Sequence, residues 1–120
     1  MIRYKVTKEN GDSIIAAGTY KLNYKVGETV ERVDGTLGLM VFDTLDHTYQ
    51  FIDTWKTPYN IFTVETYNEY IVKRIAFFCS EAHLDRFYSG DTPSSRSIIW
   101  NCPPIGTICC EKVKVLEQIK

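Results

Sequence analysis

The sequence predicts an α+β domain, a mostly antiparallel sheet of seven or eight strands with two short helices. Two observations lead to it. Short segments of alternating apolar and polar residues recur between turn signals, as half-buried strands do. Twice, an apolar run gives way to helical spacing directly after a hydroxyl residue, at Thr44 and at Ser80.

In order along the chain, residues 2–6 alternate as a strand, and the Asn10-Gly11 pair turns them back into a partner strand at 13–17. Residues 18–27 are less regular, though Tyr20, Leu22, Tyr24 and Val26 keep a period of two, and 28–33 form another short strand closed by Asp34-Gly35. Residues 37–42 carry no charge and read as a central strand. Asp43 or Thr44 then caps a helix by offering a side-chain oxygen to an orphan N–H. Its packing stripe is Thr48, Phe51, Ile52 and Trp55, and Thr57-Pro58 ends it before a strand at 59–66. A long strand is expected over 70–79, a second helix capped by Ser80 with Leu84, Phe87 and Tyr88 facing the sheet, and Gly90 as its stop. Residues 97–100 form a strand, 101–106 a proline-containing loop, and 107–119 the last strand.

Residues 41–52 and 77–88 align without a gap, pairing Phe42 with Phe78, His47 with His83 and Phe51 with Phe87, and Thr44 answers to Ser80. Residues 36–65 and 72–101 are therefore candidate repeats of one strand–helix–strand unit inside a single domain, 1–120. Each histidine stands three residues after its cap, where a capping box carries Glu or Gln. Two such helix starts facing one cleft would place both imidazoles at the positive ends of helix dipoles, a setting that favours phosphate.

Fourteen basic and fifteen acidic side chains leave a net charge of −1, which argues against double-stranded nucleic acid as the main partner. No apolar run reaches the ~18 residues of a membrane span and the first residues do not read as a signal peptide, so a cytoplasmic protein is expected, in the host cytoplasm if viral. Cys79, Cys102, Cys109 and Cys110 are then expected to be reduced, with the adjacent Cys109 and Cys110 pointing to opposite faces of a strand. Their spacing fits no standard zinc finger, and no metal or cofactor is expected. The phosphate loop, the dinucleotide fingerprint, the zinc-protease helix and the serine elbow are all missing, and no catalytic residue is assigned.

The second half carries the more suggestive chemistry. Arg74, Arg86 and Arg96 are suited to hold phosphate through their forked donors. Phe78, Tyr88 and Trp100 offer faces on which a base can stack, and Asn101 can read a base edge. With His47 and His83 these form the candidate ligand set.

Tyr4-Lys5-Val6, then residues 24–30 (Tyr-Lys-Val-Gly-Glu-Thr-Val), then residues 38–42 leading into a helix with Tyr49-Gln50-Phe51, resemble small uncharacterised domains of phages and bacteria. Those domains look distantly similar to ADP-ribosyltransferase-like folds, whose His-Tyr-Glu and Arg-Ser-Glu motifs have no counterpart in this chain. The resemblance implies a ligand-binding relative of a nucleotide-handling fold, of the type found among phage accessory and anti-defence proteins. Together these observations lead to an expected non-enzymatic binding protein that sequesters an anionic, nucleotide-like small molecule. It is expected to be a homo-oligomer through exposed sheet edges. The alternatives are an interaction module docking on a host protein, and a small enzyme using His47 or His83.

Overall fold

The structure is a computed structural model that describes residues 1–13, 22–32, 38–53, 58–71, 75–76, 99–100 and 104–120, the pairs 75–76 and 99–100 by their backbone alone. The strands are β1 (Ile2–Lys8), β2 (Thr29–Glu31), β3 (Leu39–Phe42), β4 (Tyr59–Tyr70), β5 (Ile75–Ala76), β6 (Ile99–Trp100) and β7 (Thr107–Gln118), with α1 (Leu45–Asp53) between β3 and β4. β1, β3, β7 and β4 pair in a closed antiparallel ring, and β2 lies along β7 beside β3. This corrects the expected α+β sheet: the fold is a small β-barrel with an added strand and, among the described residues, one helix. The expected second helix, over 80–88, lies outside the described residues.

Closure comes from the two longest strands. β4 and β7, twelve residues each, pair from Phe62↔Gln118 to Tyr70↔Cys109. Val64 opposes Val115 and Thr63 opposes Glu117, so Leu116 is an extra, bulged residue. Asn68 has φ 56°, a left-handed conformation that asparagine tolerates better than most side chains. Bulges increase local twist and bend the ribbon. The far edge of β7 then takes β2 and β3, while the far edge of β4 takes β1.

Alternation along the strands gives the barrel two buried faces. Tyr24, Val30, Leu39, Val41, Phe62, Val64, Cys110, Val113 and Val115 form the inner cluster. Val6, Phe42 and Ile61 point outward and meet Phe51 and Ile52 of α1 in a second cluster. The expected stripe of α1 is therefore observed for Thr48, Phe51 and Ile52, all buried, while Trp55 lies outside the described residues. The Asn10-Gly11 turn also forms: Gly11, at φ 89°, donates its N–H to the Lys8 carbonyl at 2.9 Å.

β5 and β6 form a separate antiparallel pair, Ile75↔Trp100 and Ala76↔Ile99. Here the two candidate repeats differ. The strands flanking α1, β3 and β4, are not neighbours but are separated by β1 on one side and β7 on the other, whereas β5 pairs directly with β6. Among the described residues no helix is long and apolar enough to cross a membrane.

Candidate functional site: one mouth of the barrel

The registers bring four chain segments to one end. Tyr4 pairs with Phe42, Phe42 with Thr107, Tyr70 with Cys109, and Ile2 with Glu65. The start of β1, the end of β3, the end of β4 and the start of β7 therefore rim one mouth. α1 begins there, and Ile71 and Pro104, the residues on either side of 72–103 in the sequence, lie there. Barrel mouths are a common place for ligands, because the scaffold fixes several loop roots around one opening.

Thr44 caps α1. Its Oγ1 accepts the His47 N–H at 3.1 Å, and its carbonyl accepts the Thr48 hydroxyl at 2.8 Å. His47, at the third helical position, is the place where a capping-box residue reaches back. Its ring does reach back, but to the Asp43 carboxylate: Nδ1 and Oδ1 are 2.6 Å apart, with both side chains about one-third exposed (30% and 32%). Asp43 is held in turn by its N–H, which donates to the Gly106 carbonyl at 3.0 Å. Partial burial pushes the Asp43 carboxyl up, but the His47 contact, the Thr44 backbone and the Arg3 charge outweigh it, so the net shift is downward. An ionised Asp43 orients the imidazole with Nδ1–H toward it.

Gly106 makes this pair compatible with the returning chain. Residues 104–107 turn with Thr107 donating both N–H (3.1 Å) and hydroxyl (2.6 Å) to the Pro104 carbonyl. Gly106 sits at φ 86°, and a Cβ there would overlap Asp43 Oδ1 and lie 2.6 Å from His47 Nδ1. Only a bare backbone fits against the pair.

At the same mouth Arg3 grips Glu69 with two bonds, Nε to Oε2 at 2.8 Å and Nη2 to Oε1 at 3.0 Å. Thr66 donates its hydroxyl to the same carboxylate at 2.5 Å. The Arg3 hydrogen bond, chiefly, holds the Glu69 carboxyl down at about 2. Asp43 and Glu69 at the mouth thus each meet a basic side chain.

Of the candidate ligand set, the structure places His47 at this mouth and the Trp100 backbone in β6, opposite Ile75. Arg74 and Asn101 adjoin that strand pair in sequence. They, with Phe78, His83, Arg86, Tyr88 and Arg96, lie outside the described residues. Sequence reasoning did not single out Arg3, Glu69 or Gly106. The Asp43–His47 contact had a signal in its i, i+4 spacing.

Two further polar features are buried in the barrel and its wall. Lys5 is 8% exposed, donates to the Met40 carbonyl at 2.9 Å and sits 4.8 Å from the Tyr24 ring centre. Burial lowers its ammonium to about 8. Cys109 and Cys110 are free and buried, and burial raises them to about 11 and about 12, which makes them poor nucleophiles at neutral pH. Among the described residues no three His, Cys, Asp or Glu side chains are grouped to hold a metal. Cys79 and Cys102 lie outside them. Comparison of the chain with protein-family models, with curated proteins and with solved structures gives no match.

Proposed function

We propose that the protein is a binding protein whose barrel is a rigid frame for the 72–103 excursion, and that an anionic, nucleotide-like small molecule is held where that excursion meets the barrel mouth. The observation that carries this reading is topological: the excursion bearing Arg74, Arg86, Arg96, Phe78, Tyr88, Trp100 and Asn101 is rooted beside the α1 N-terminus and His47. Three guanidinium forks suit phosphate, and three aromatic faces suit a base. The barrel interior is filled by its own side chains, so a ligand belongs at the mouth rather than within. The resemblance to phage accessory domains fits sequestration of a nucleotide signal.

A thermal-shift panel of mono-, di- and cyclic nucleotides tests it. A ligand at ~100 times its Kd should add ~2.7 kcal/mol to stability. The triple substitution Arg74→Gln, Arg86→Gln, Arg96→Gln should abolish that gain while leaving the unliganded melting temperature in place. A panel that moves nothing removes the proposal.

One observation favours a protein partner at the same mouth instead. Ile71, Ile105 and Met1, at 83%, 68% and 65% exposure, are the most exposed large apolar residues described, and all three belong to this end. Native mass spectrometry of protein purified from its own cells separates the two, since it reports a carried nucleotide and a bound polypeptide as different masses.

A further inference from the structure

At the end of the barrel away from the mouth, a lysine lies between two tyrosine rings. Lys120 Nζ is 5.5 Å from the Tyr49 ring centre and 5.7 Å from that of Tyr59, both within the range at which a ring face attracts an ammonium. The rings come from different elements: Tyr49 from the solvent side of α1, where it is 36% exposed, and Tyr59 from the first residue of β4. The neighbouring Tyr59 phenol, and then Tyr49, raise the lysine above its ordinary value.

The backbone places Lys120 independently of this side chain. The Lys120 carbonyl accepts the Ile61 N–H at 2.8 Å, and the Lys120 N–H donates to the Ile61 carbonyl at 3.3 Å. Tyr59 is packed against the outer apolar cluster, and Tyr49 stands on a helix whose other face is buried in it. Both rings therefore stay in position when the lysine side chain is removed, and the clamp is preformed around an exchangeable ammonium.

We propose that Tyr49 and Tyr59 form a recognition site for an alkylammonium group, the lysine or N-methylated lysine side chain of a protein partner, which Lys120 occupies in cis. Lys120 acts as a competitor for the site, and a partner's lysine binds by displacing it. Two exposed rings alone hold a free ammonium weakly, with a Kd of roughly tens of millimolar, so the clamp selects for a cation within a wider contact. It is independent of the mouth and of the ligand proposed there.

The test is a titration of the full chain and of Lys120→Ala with tetramethylammonium chloride, sodium chloride serving as the ionic control. The Tyr49 and Tyr59 ring protons are followed by NMR. Lys120→Ala should show saturable shifts of both rings, at least threefold tighter than in the unsubstituted chain, and Lys120→Gln should behave in the same way. Adding Tyr49→Leu to Lys120→Ala should remove the response. The proposal is overturned if the lysine variants show no saturable shift, if the unsubstituted chain responds equally well, or if the response survives loss of Tyr49.

Discussion

The two buried layers of this barrel are built on different terms. The outer layer, where α1 covers Val6, Phe42 and Ile61, is apolar apart from the Thr48 hydroxyl, with Phe42 and Phe51 rings 5.1 Å apart. The inner layer is closed on all sides by strands and yet admits a lysine, the Cys110 thiol and a threonine, Thr7, all of them buried. Enclosure by strands offers the Lys5 ammonium the Met40 carbonyl, whereas the helix side offers only its own Thr44 carbonyl to its own Thr48 hydroxyl. The barrel interior thus satisfies a buried charge, and the sheet–helix interface a single hydroxyl.

That contrast is tested most severely by removing a ring from each layer. Phe62 is 3% exposed inside the barrel, and Phe51 is 9% exposed under α1. Phe62→Ala leaves a cavity bounded by strands that cannot collapse without breaking their pairing, and should cost ~3–5 kcal/mol in urea unfolding. Phe51→Ala lets a nine-residue helix settle inward, and should cost ~2 kcal/mol. Equal losses would mean that the two layers are one cooperative core.

Periodicity carried much of this, and closure was what it missed. The apolar stripe of α1, the Thr44 cap, the Asn10-Gly11 turn and the last strand all follow from local spacing, and they form as expected. The faces of β1 do not. Tyr4 and Val6 look like the core side of a half-buried strand, with Arg3 and Lys5 toward water. In the barrel Tyr4 and Val6 lie under α1, and Arg3 and Lys5 point to the enclosed side. A two-faced core arises only when strands distant in sequence close a ring, and no window of a dozen residues contains that information. The candidate site was legible in part: the His47 position and its cap could be read, but the Arg3–Glu69 pair is joined across 66 residues. The fit of Gly106 to Asp43 and His47 depends on the same long-range closure.

The buried lysine sharpens the comparison through pH. Lys5 titrates near 8 in the folded chain, against 10.5 for an ordinary lysine. Below pH 8 both states are protonated and the folded state carries the full cost of a buried charge. Between about 8 and 10.5 the unfolded chain holds a proton that the folded one has lost, so this group makes stability rise with pH. Cys109 and Cys110 act oppositely, since their raised values make the unfolded thiols ionise first, above about 9. Comparing Lys5→Met with the parent chain at each pH removes the thiol contribution except for the part that the Lys5 charge itself exerts on both thiols. The variant should be the more stable at pH 7, and its advantage should shrink by on the order of 3 kcal/mol by pH 10.5. An advantage that does not vary with pH would show that Lys5 is solvated rather than enclosed.

The smallest effect concerns the one place where the outer layer meets the mouth. Thr44 and Asp43 both hold His47, the first through its backbone N–H and the second through its ring. Losing the cap oxygen leaves an orphan donor at the start of α1, so Thr44→Ala should cost ~1 kcal/mol by thermal unfolding. His47→Ala keeps that N–H bond and removes only the exposed ring contact, so it should cost less than half as much. If His47 serves the helix alone, the double substitution should be additive, since a ring contact to Asp43 does not depend on the Thr44 oxygen. Nucleotide binding then separates the two residues. A ligand held at the mouth should weaken with His47→Ala and not with Thr44→Ala, and equal weakening by both would make the imidazole a part of the helix start rather than of the site.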